Sequence, residues 1–338
     1  LITLLVRMVT EPEKAIIMGG TWRIPVLVKL LDANFIKDLK NDGTFNEASF
    51  AREYESRWSG TVEDAFFNGE FFDRNRKLQK PEYEHSGRSA ANAYYILSVD
   101  VGRKGCDSVV CVFKVTPQAQ GPAIKSLVNI YTFADEHFED QAIRIKKLYY
   151  KYKARTIVID GNGLGIGLVD YMIKSQEDEN GDFFPDFGVE NDEDGYYKKY
   201  RTANTEFDAM YILKANAPIN TECHANAQTQ LQAGKVKFLI DERGAKEKLL
   251  ATKMGQNMKP EERAEYLKPF TLTSILKEEM MNLREENEGV NIILKQANRG
   301  IRKDKFSAFE YGLYYIKQEE DKKKKKKKFN AADWAFFN

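Results

Sequence analysis

The chain has 338 residues, and its composition of 42% hydrophobic, 12% aromatic and 30% charged residues is that of a globular protein. This length corresponds to about two domains, and the composition excludes a disordered or collagen-like chain. No apolar run approaches the ~18 residues of a membrane span, and three cysteines without a CxxC pair exclude a disulfide framework and a thiolate zinc site.

The formal net charge of +1 hides an uneven distribution of charge. A run of lysines at 322–328 leaves the rest of the chain acidic, so no net basic bias of the kind typical of nucleic-acid binders is present. The run itself is typical of a disordered arm. Because the chain opens on Leu1 rather than methionine, we expect it to begin inside a longer polypeptide with an incomplete N-terminal region.

Residues 1–84 are predicted to form a mixed segment that is not self-sufficient. Its apolar and aromatic pieces are a short buried strand, an apolar run and two aromatic-rich stretches, at 15–18, 24–31, 50–58 and 62–72. A polar stretch with Pro and Gly breakers at 80–89 predicts a linker, which places a domain boundary near residue 88.

The pattern is sharper from Tyr94 onward. The predicted elements are three strands, an amphipathic helix, a fourth strand buried on both faces and a second helix, at 94–100, 108–115, 126–133, 139–153, 156–159 and 167–173. Short turns join the first three strands, and the first helix returns the chain parallel to an earlier strand. This order predicts an α/β fold with a mixed sheet flanked by helices.

The C-terminal half is predicted to open with an acidic, mobile loop at 176–195. The helices expected after it are at 207–213, 224–231, 274–284 and 304–317. The expected strands are at 236–240 and 290–294, and a charged loop runs through Pro260. A Lys-rich tail at 319–338 ends the chain.

Three aspartates are the candidates for chemistry. Asp100 and Asp160 each stand where a strong strand runs into a glycine-containing turn, so a parallel pairing places both at the same sheet edge. Asp304 lies in the first turn of the last helix, where the small side chains of Ser307 and Ala308 allow close approach to a sheet. For each aspartate, a turn or capping role is the alternative explanation.

Three converging carboxylates raise one another's pKa values and call for cations. Oxygen ligands suit Mg²⁺ or Mn²⁺, and two such ions together can support hydrolysis of a phosphodiester. Asp107 is a further candidate metal ligand, although a turn role is favoured for it. Basic side chains flank the acidic positions and are candidate contacts to DNA phosphates, with ordinary solvation as the equal alternative: Arg103, Lys104, Lys303 and Lys305.

The glycines at 161–167 do not form a dinucleotide-binding motif, because no register gives GxGxxG. The favoured role for them is to let a turn and a helix start pass close to a metal ion or a DNA phosphate.

Three sequence stretches resemble the nuclease domain of the large terminase subunit of tailed bacteriophages. They are SVDVGRKGCDSVV at 98–110, IVIDGNGLGIGLVDYM at 157–172 and RKDKFSAFEYGLYYI at 302–316. The resemblance implies a ribonuclease H-like fold in which Asp100, Asp160 and Asp304 bind two Mg²⁺ or Mn²⁺ ions and catalyse DNA cleavage. Asp107 matches a further acidic position of some members.

The same resemblance implies a domain organisation and a biological setting. Residues 1–84 would be the end of an ATPase domain, 85–91 a linker, 92–318 the nuclease domain and 319–338 a tail. The activity would be cleavage of concatemeric double-stranded DNA during genome packaging, in the host cytoplasm and transiently at the prohead portal. Implied partners are DNA, the portal protein, the small terminase subunit and further copies of the chain, with no membrane. No GxxxxGK[ST] motif occurs, so ATP use is expected only of the full-length motor.

Two alternatives remain open at this stage. An actin-like or sugar-kinase-like ATPase also opens with a strand ending in DxG, but it needs a second half with an adenosine-binding Gly-Gly turn, which the sequence does not show. A DNA-binding or motor-docking module with an inactive site is the other alternative.

Overall fold

A computed structural model describes residues 21–41, 65–87, 92–102, 107–288 and 290–333. The strand predicted at 15–18 and the aromatic stretch at 50–58 lie outside these residues. The helices are α1 (Arg23–Leu27), α2 (Ala33–Asn41), α3 (Gly69–Arg74), α4 (Phe138–Tyr152), α5 (Leu164–Met172), α6 (Ala217–Gln232), α7 (Glu242–Leu250), α8 (Lys253–Asn257), α9 (Pro260–Met281) and α10 (Asp304–Asp333).

The strands form one large sheet and two small ones. They are β1 (Arg76–Leu78), β2 (Tyr94–Asp100), β3 (Ser108–Thr116), β4 (Ile124–Phe133), β5 (Ala154–Asp160), β6 (Gln176–Glu177), β7 (Phe183–Phe184), β8 (Phe187–Val189), β9 (Glu206–Leu213), β10 (Val236–Leu239), β11 (Leu283–Glu288) and β12 (Asn291–Gln296). The large sheet has eight strands in the order β1-β10-β4-β3-β2-β5-β9-β8, and β11–β12 and β6–β7 are separate antiparallel pairs.

The large sheet is mixed, as the sequence predicts. β2, β3 and β4 form an antiparallel meander, and β5 and β9 then add parallel to β2 on its other side. The expected α/β fold with a ribonuclease H-like mixed sheet is therefore confirmed. The helix α4 makes the crossover from β4 to β5 and buries an apolar stripe that includes Ile145, Leu148 and Tyr152.

The two faces of the sheet are covered by different helices. One face, with Ile96, Val109 and Phe113, packs against α6, α9 and α10. The other face, with Leu97, Val99 and Ile157, packs against α4 and α5. Because successive side chains of a strand point to opposite faces, the central strand β2 contributes to both cores and is buried along most of its length.

Four predicted elements need correction. Residues 207–213 form strand β9 rather than a helix, which reflects the ambiguity of short apolar runs. The insertion at 176–195 contains β8, whose buried Phe187 and Val189 attach it to the large sheet. The helix predicted at 274–284 starts much earlier, at Pro260. Proline is tolerated in the first turn because the N–H that it lacks would have no partner within the helix. The last helix continues through the lysine run as far as Asp333.

The described residues 65–84 of the N-terminal segment pack against the large sheet. Strand β1 pairs in parallel with β10, and Phe67 and Phe72 are fully buried in the core beneath α10. The Tyr152 hydroxyl donates a hydrogen bond to the Glu82 carbonyl at 2.6 Å. Residues 65–84 therefore belong to the same packed unit as the sheet.

A membrane-spanning helix would have to be both long and apolar, and no helix in the described ranges meets these two requirements.

Candidate metal centre

Asp100 and Asp160 lie side by side at one edge of the sheet. Val99 and Ile159 are register partners in the parallel β2–β5 ladder, so the two strands end together. The Asp160 Oδ1 atom accepts a hydrogen bond from the backbone N–H of Asn162 at 3.0 Å, which fixes its carboxylate in the turn. The sequence-based placement of these two aspartates at a common edge is what the structure shows.

The glycines after Asp160 allow the chain to turn sharply. A Cβ atom on Gly165 would lie 1.6 Å from the Asp160 carbonyl oxygen, and one on Gly161 would lie 2.3 Å from a methyl group of Ile212. Neither position has room for a side chain. The atoms that these two glycines approach belong to the protein itself, and close passage to a metal ion or a DNA phosphate stays a prediction.

Asp304 lies on the first turn of α10, which packs on one face of the sheet. The helix crosses β2 and β3 closely, with Ala308 fully buried and Gly312 packed directly against the sheet. A Cβ atom on Gly312 would come within 2.5 Å of the Phe113 ring. Small side chains therefore bring α10 down onto the sheet, as Ser307 and Ala308 suggest in the sequence, although Gly312 makes the tightest approach.

Electrostatic coupling links both other carboxyl groups to Asp100. Burial raises the pKa of Asp100 to about 8, and the charges of Asp304 and Asp160 add to this increase. Burial also raises the pKa values of Asp160 and Asp304. The hydroxyl pKa of Tyr311, which is raised mainly by burial, responds to the charges of both Asp160 and Asp100.

The Asp304 carboxylate is only partly compensated by neighbouring charges. Its Oδ2 atom is buried without a hydrogen-bond partner and lies 4.0 Å from Nη1 of Arg302. The same Arg302 nitrogen lies 3.7 Å from Oδ1 of Asp107, whose side chain is 30% exposed. Asp107 is therefore a neighbour of the site and shares a basic partner with Asp304.

The carboxylate oxygens are suitable ligands for divalent cations, although they do not form a complete coordination site. A positive ion would pair with the unpartnered buried oxygen of Asp304 and would offset the burial and the neighbouring carboxylates that raise the pKa of Asp100. An all-oxygen donor set suits Mg²⁺ or Mn²⁺. Within the described ranges, no three His, Cys, Asp or Glu side chains are already arranged to hold one ion.

The basic residues expected to contact DNA phosphates have different positions. Lys303 is exposed and lines a groove of about 250 Å³ beside Tyr311. Lys305 is only 4% exposed, and its Nζ atom lies 3.1 Å from Glu279. The expectation that Lys305 contacts phosphate is therefore corrected, because its charge is directed into the protein. Arg103 and Lys104 lie outside the described residues.

Glu279 is a residue of this site that the sequence does not reveal. It lies on α9 with 2% exposure, and burial raises its pKa to about 7. Its charge contributes to the raised pKa of Asp100. Nothing in the local pattern around Glu279 distinguishes it from a surface glutamate, because its partners are far away in the sequence.

The comparisons with known proteins find similarity only at the level of structure. No protein-family model matches the chain, and no curated protein matches it. The magnesium-bound large terminase nuclease of the thermophilic phage G20c is similar over 75% of this chain and 97% of its own, with 13% identity and a TM-score of 0.41. The nuclease domain of the P22 large terminase is similar over 75% of this chain and 94% of its own, with 12% identity and a TM-score of 0.37.

The large terminase of bacteriophage HK97 is also similar, over 84% of this chain and 55% of its own, with 7% identity and a TM-score of 0.40. Identities and scores this low do not carry an activity from one protein to another. What this chain can do has to follow from its own side chains.

Proposed function

We propose that this chain is a metal-dependent endonuclease of the large-terminase type, which cuts concatemeric double-stranded DNA during phage genome packaging. The observation that carries the proposal is the convergence of Asp100, Asp160 and Asp304, from two strand ends and one helix start, into a single electrostatically coupled site. The motifs around these three aspartates are the ones that resemble the terminase nuclease.

The roles of the three aspartates follow from their positions. Asp100 ends the central strand and is coupled to both other carboxylates, so it would be the ligand shared by two ions. Asp160 and Asp304 would each complete one ion site, with Asp107 as an auxiliary ligand near Asp304. Bound Mg²⁺ or Mn²⁺ ions supply an activated water and stabilise the leaving oxygen of the phosphodiester.

The other residues of the site would hold and orient the DNA. Lys303 is exposed next to Asp304 and would contact a backbone phosphate without reading the base sequence. Ala308 and Gly312 keep α10 close to the sheet, so the position of Asp304 is set by backbone packing. Such an arrangement favours cleavage that depends on salt concentration and tolerates many sequences.

The proposal includes the biological setting that the sequence resemblance implies. The DNA substrate would be presented by a packaging motor at the prohead portal in the host cytoplasm. The portal protein, the small terminase subunit and other copies of this chain would be the partners there, and ATP would be used by the full-length motor.

Plasmid cleavage in the presence of Mn²⁺ tests the proposal. Asp100→Asn, Asp160→Asn and Asp304→Asn should each lower the rate about a hundredfold or more, because ion-dependent stabilisation of the transition state is worth several kcal/mol. Glu247→Gln is the control, because its side chain is 68% exposed on α7. Undiminished cleavage by the three folded aspartate variants would reject the assignment, whereas ATP turnover without cleavage would support the kinase-like alternative.

A further inference from the structure

A buried ion pair anchors the first turn of α10, which carries Asp304. Oε1 of Glu279 lies 3.1 Å from Nζ of Lys305, and Oε2 accepts a hydrogen bond from the backbone N–H of Phe306 at 2.9 Å. The two charged side chains are 2% and 5% exposed. One carboxylate from α9 therefore holds both a side chain and a backbone group of the turn that follows Asp304.

The backbone group held by Glu279 has no partner within its own helix. The first N–H groups of an α-helix lack intrahelical acceptors, and Phe306 is the third residue of α10. A carboxylate at this end of a helix is also favoured by the helix dipole. Glu279 thus serves as a cap supplied by a different helix, which fixes the start of α10 relative to α9.

Stability alone is a weak reason for such a pair. Replacing a buried ion pair with apolar side chains of similar volume is often neutral or stabilising, because two charges lose their hydration on burial. Asp304, by contrast, has little to hold it in place: its Oδ2 atom has no hydrogen-bond partner, and Arg302 lies 4.0 Å away. The orientation of the Asp304 carboxylate therefore depends on the backbone that Glu279 holds.

We infer that Glu279 is a positioning residue for Asp304, acting through its hydrogen bond to the Phe306 N–H. This inference rests on the proposed function, because it assumes that Asp304 is a metal ligand. Lys305 supplies the countercharge that allows a carboxylate to act as the acceptor in this buried position. Groups that orient metal ligands without touching the metal commonly change metal affinity 10–100-fold when they are removed.

Two double variants isolate the hydrogen bond from the charge. Glu279→Gln with Lys305→Met keeps an acceptor for the Phe306 N–H, whereas Glu279→Leu with Lys305→Met removes it, and neither variant leaves an unpaired buried charge. We expect the Leu/Met variant to bind Mn²⁺ about tenfold to a hundredfold more weakly than the Gln/Met variant, as measured by titration of the metal-free protein. Hydrogen exchange in the first turn of α10 should also be faster in the Leu/Met variant, with or without metal.

The same helix provides a matched control further along. Oε2 of Glu320 lies 3.0 Å from Nζ of the buried Lys125, and Oε1 accepts a hydrogen bond from the backbone N–H of Ala123 at 2.7 Å. This pair lies 16 residues along α10 from Asp304. Glu320→Leu with Lys125→Met removes the acceptor of the Ala123 N–H in the same way and should leave Mn²⁺ affinity unchanged.

The outcomes separate the inference from the proposed function. Equal Mn²⁺ affinity in the two folded Glu279 variants, or an equal loss in the Glu320 control, would overturn the positioning role. If the wild-type protein neither binds Mn²⁺ nor cuts DNA, the proposed function fails, and the exchange of the α10 amides still decides whether Glu279 anchors that turn.

Discussion

Gly312 of α10 packs directly on Ser98 of β2, so closely that a Cβ atom on Gly312 would lie 2.9 Å from the Ser98 Cβ. The ring of Phe113 would be closer still, at 2.5 Å. Both neighbours are fully buried. This contact sets the height of α10 above the sheet and, with it, the distance of Asp304 from Asp100.

Gly312→Ala should therefore destabilise the protein and reduce cleavage together. Alanine favours a helix by about 1 kcal/mol over glycine, but overpacking a closed core costs about 1–3 kcal/mol, so the balance is unfavourable. Thermal unfolding and the rate of Mn²⁺-dependent cleavage are the measurements. Gly87→Ala is the control, because a Cβ atom there meets nothing within 4 Å. A Gly312→Ala protein with wild-type stability and activity would contradict the close approach.

The stability of the metal-free protein should fall as the pH rises from about 4 to 8. The pKa of Asp100 is raised from 3.8 to about 8, so across this window the folded protein holds a proton that the unfolded chain has released. In Asp100→Asn, stability should depend less steeply on pH. Some of the decrease with pH should remain, because the pKa of Glu279 is also raised, to about 7. Melting temperatures across the pH range measure this, and added Mn²⁺ should restore stability at pH 8. A melting temperature that rises between pH 5 and 8 without metal would contradict the raised pKa.

The neighbouring lysines Lys303 and Lys305 should respond in opposite ways to substitution. Lys303→Gln removes an exposed charge, so it should weaken DNA binding and lower the slope of affinity against salt by about 1, with no change in stability. Lys305→Gln leaves Glu279 unpaired in the core and should destabilise the protein by about 3–5 kcal/mol. Salt-dependent DNA binding and denaturant unfolding distinguish the two, and a stability loss for Lys303→Gln would reject its assignment as a surface contact.

Asp107 should make a smaller contribution than the three aspartates. It is near Asp304 and raises the pKa of that carboxyl group, but its side chain is 30% exposed and shares Arg302. We expect Asp107→Asn to lower Mn²⁺-dependent cleavage by about tenfold or less, compared with about a hundredfold for Asp304→Asn. Loss of activity as complete as that of Asp304→Asn would make Asp107 a principal ligand.

The parts of this fold that depend on local pattern could be predicted from the sequence. The continuous apolar run before Asp160 indicates a strand buried on both faces, and the glycines after it indicate a tight turn. Strand β9 was wrongly predicted because a short apolar run has no decisive period. Strand β8 is hidden because acidic residues surround it, and its burial depends on pairing with β9.

The parts that depend on distant contacts could not be predicted. Glu279 and Lys305 are 26 positions apart, and each looks like an ordinary charged residue of a helix until the two helices pack together. The position of Gly312 could have suggested a close helix–sheet contact, because glycine is unfavourable within a helix and usually needs a packing reason. The convergence of Asp100, Asp160 and Asp304 was predictable because the two strand ends and the helix start each carry a local signal.

The length of α10 has a structural consequence. The helix runs for 30 residues, about 45 Å, from Asp304 through the lysine run to Asp333 as one uninterrupted rod. The lysines at 322–328 therefore lie on the same helix as Asp304 and not on a separate tail. Between the two ends, the ion pair of Glu320 with the buried Lys125 ties this helix to strand β4.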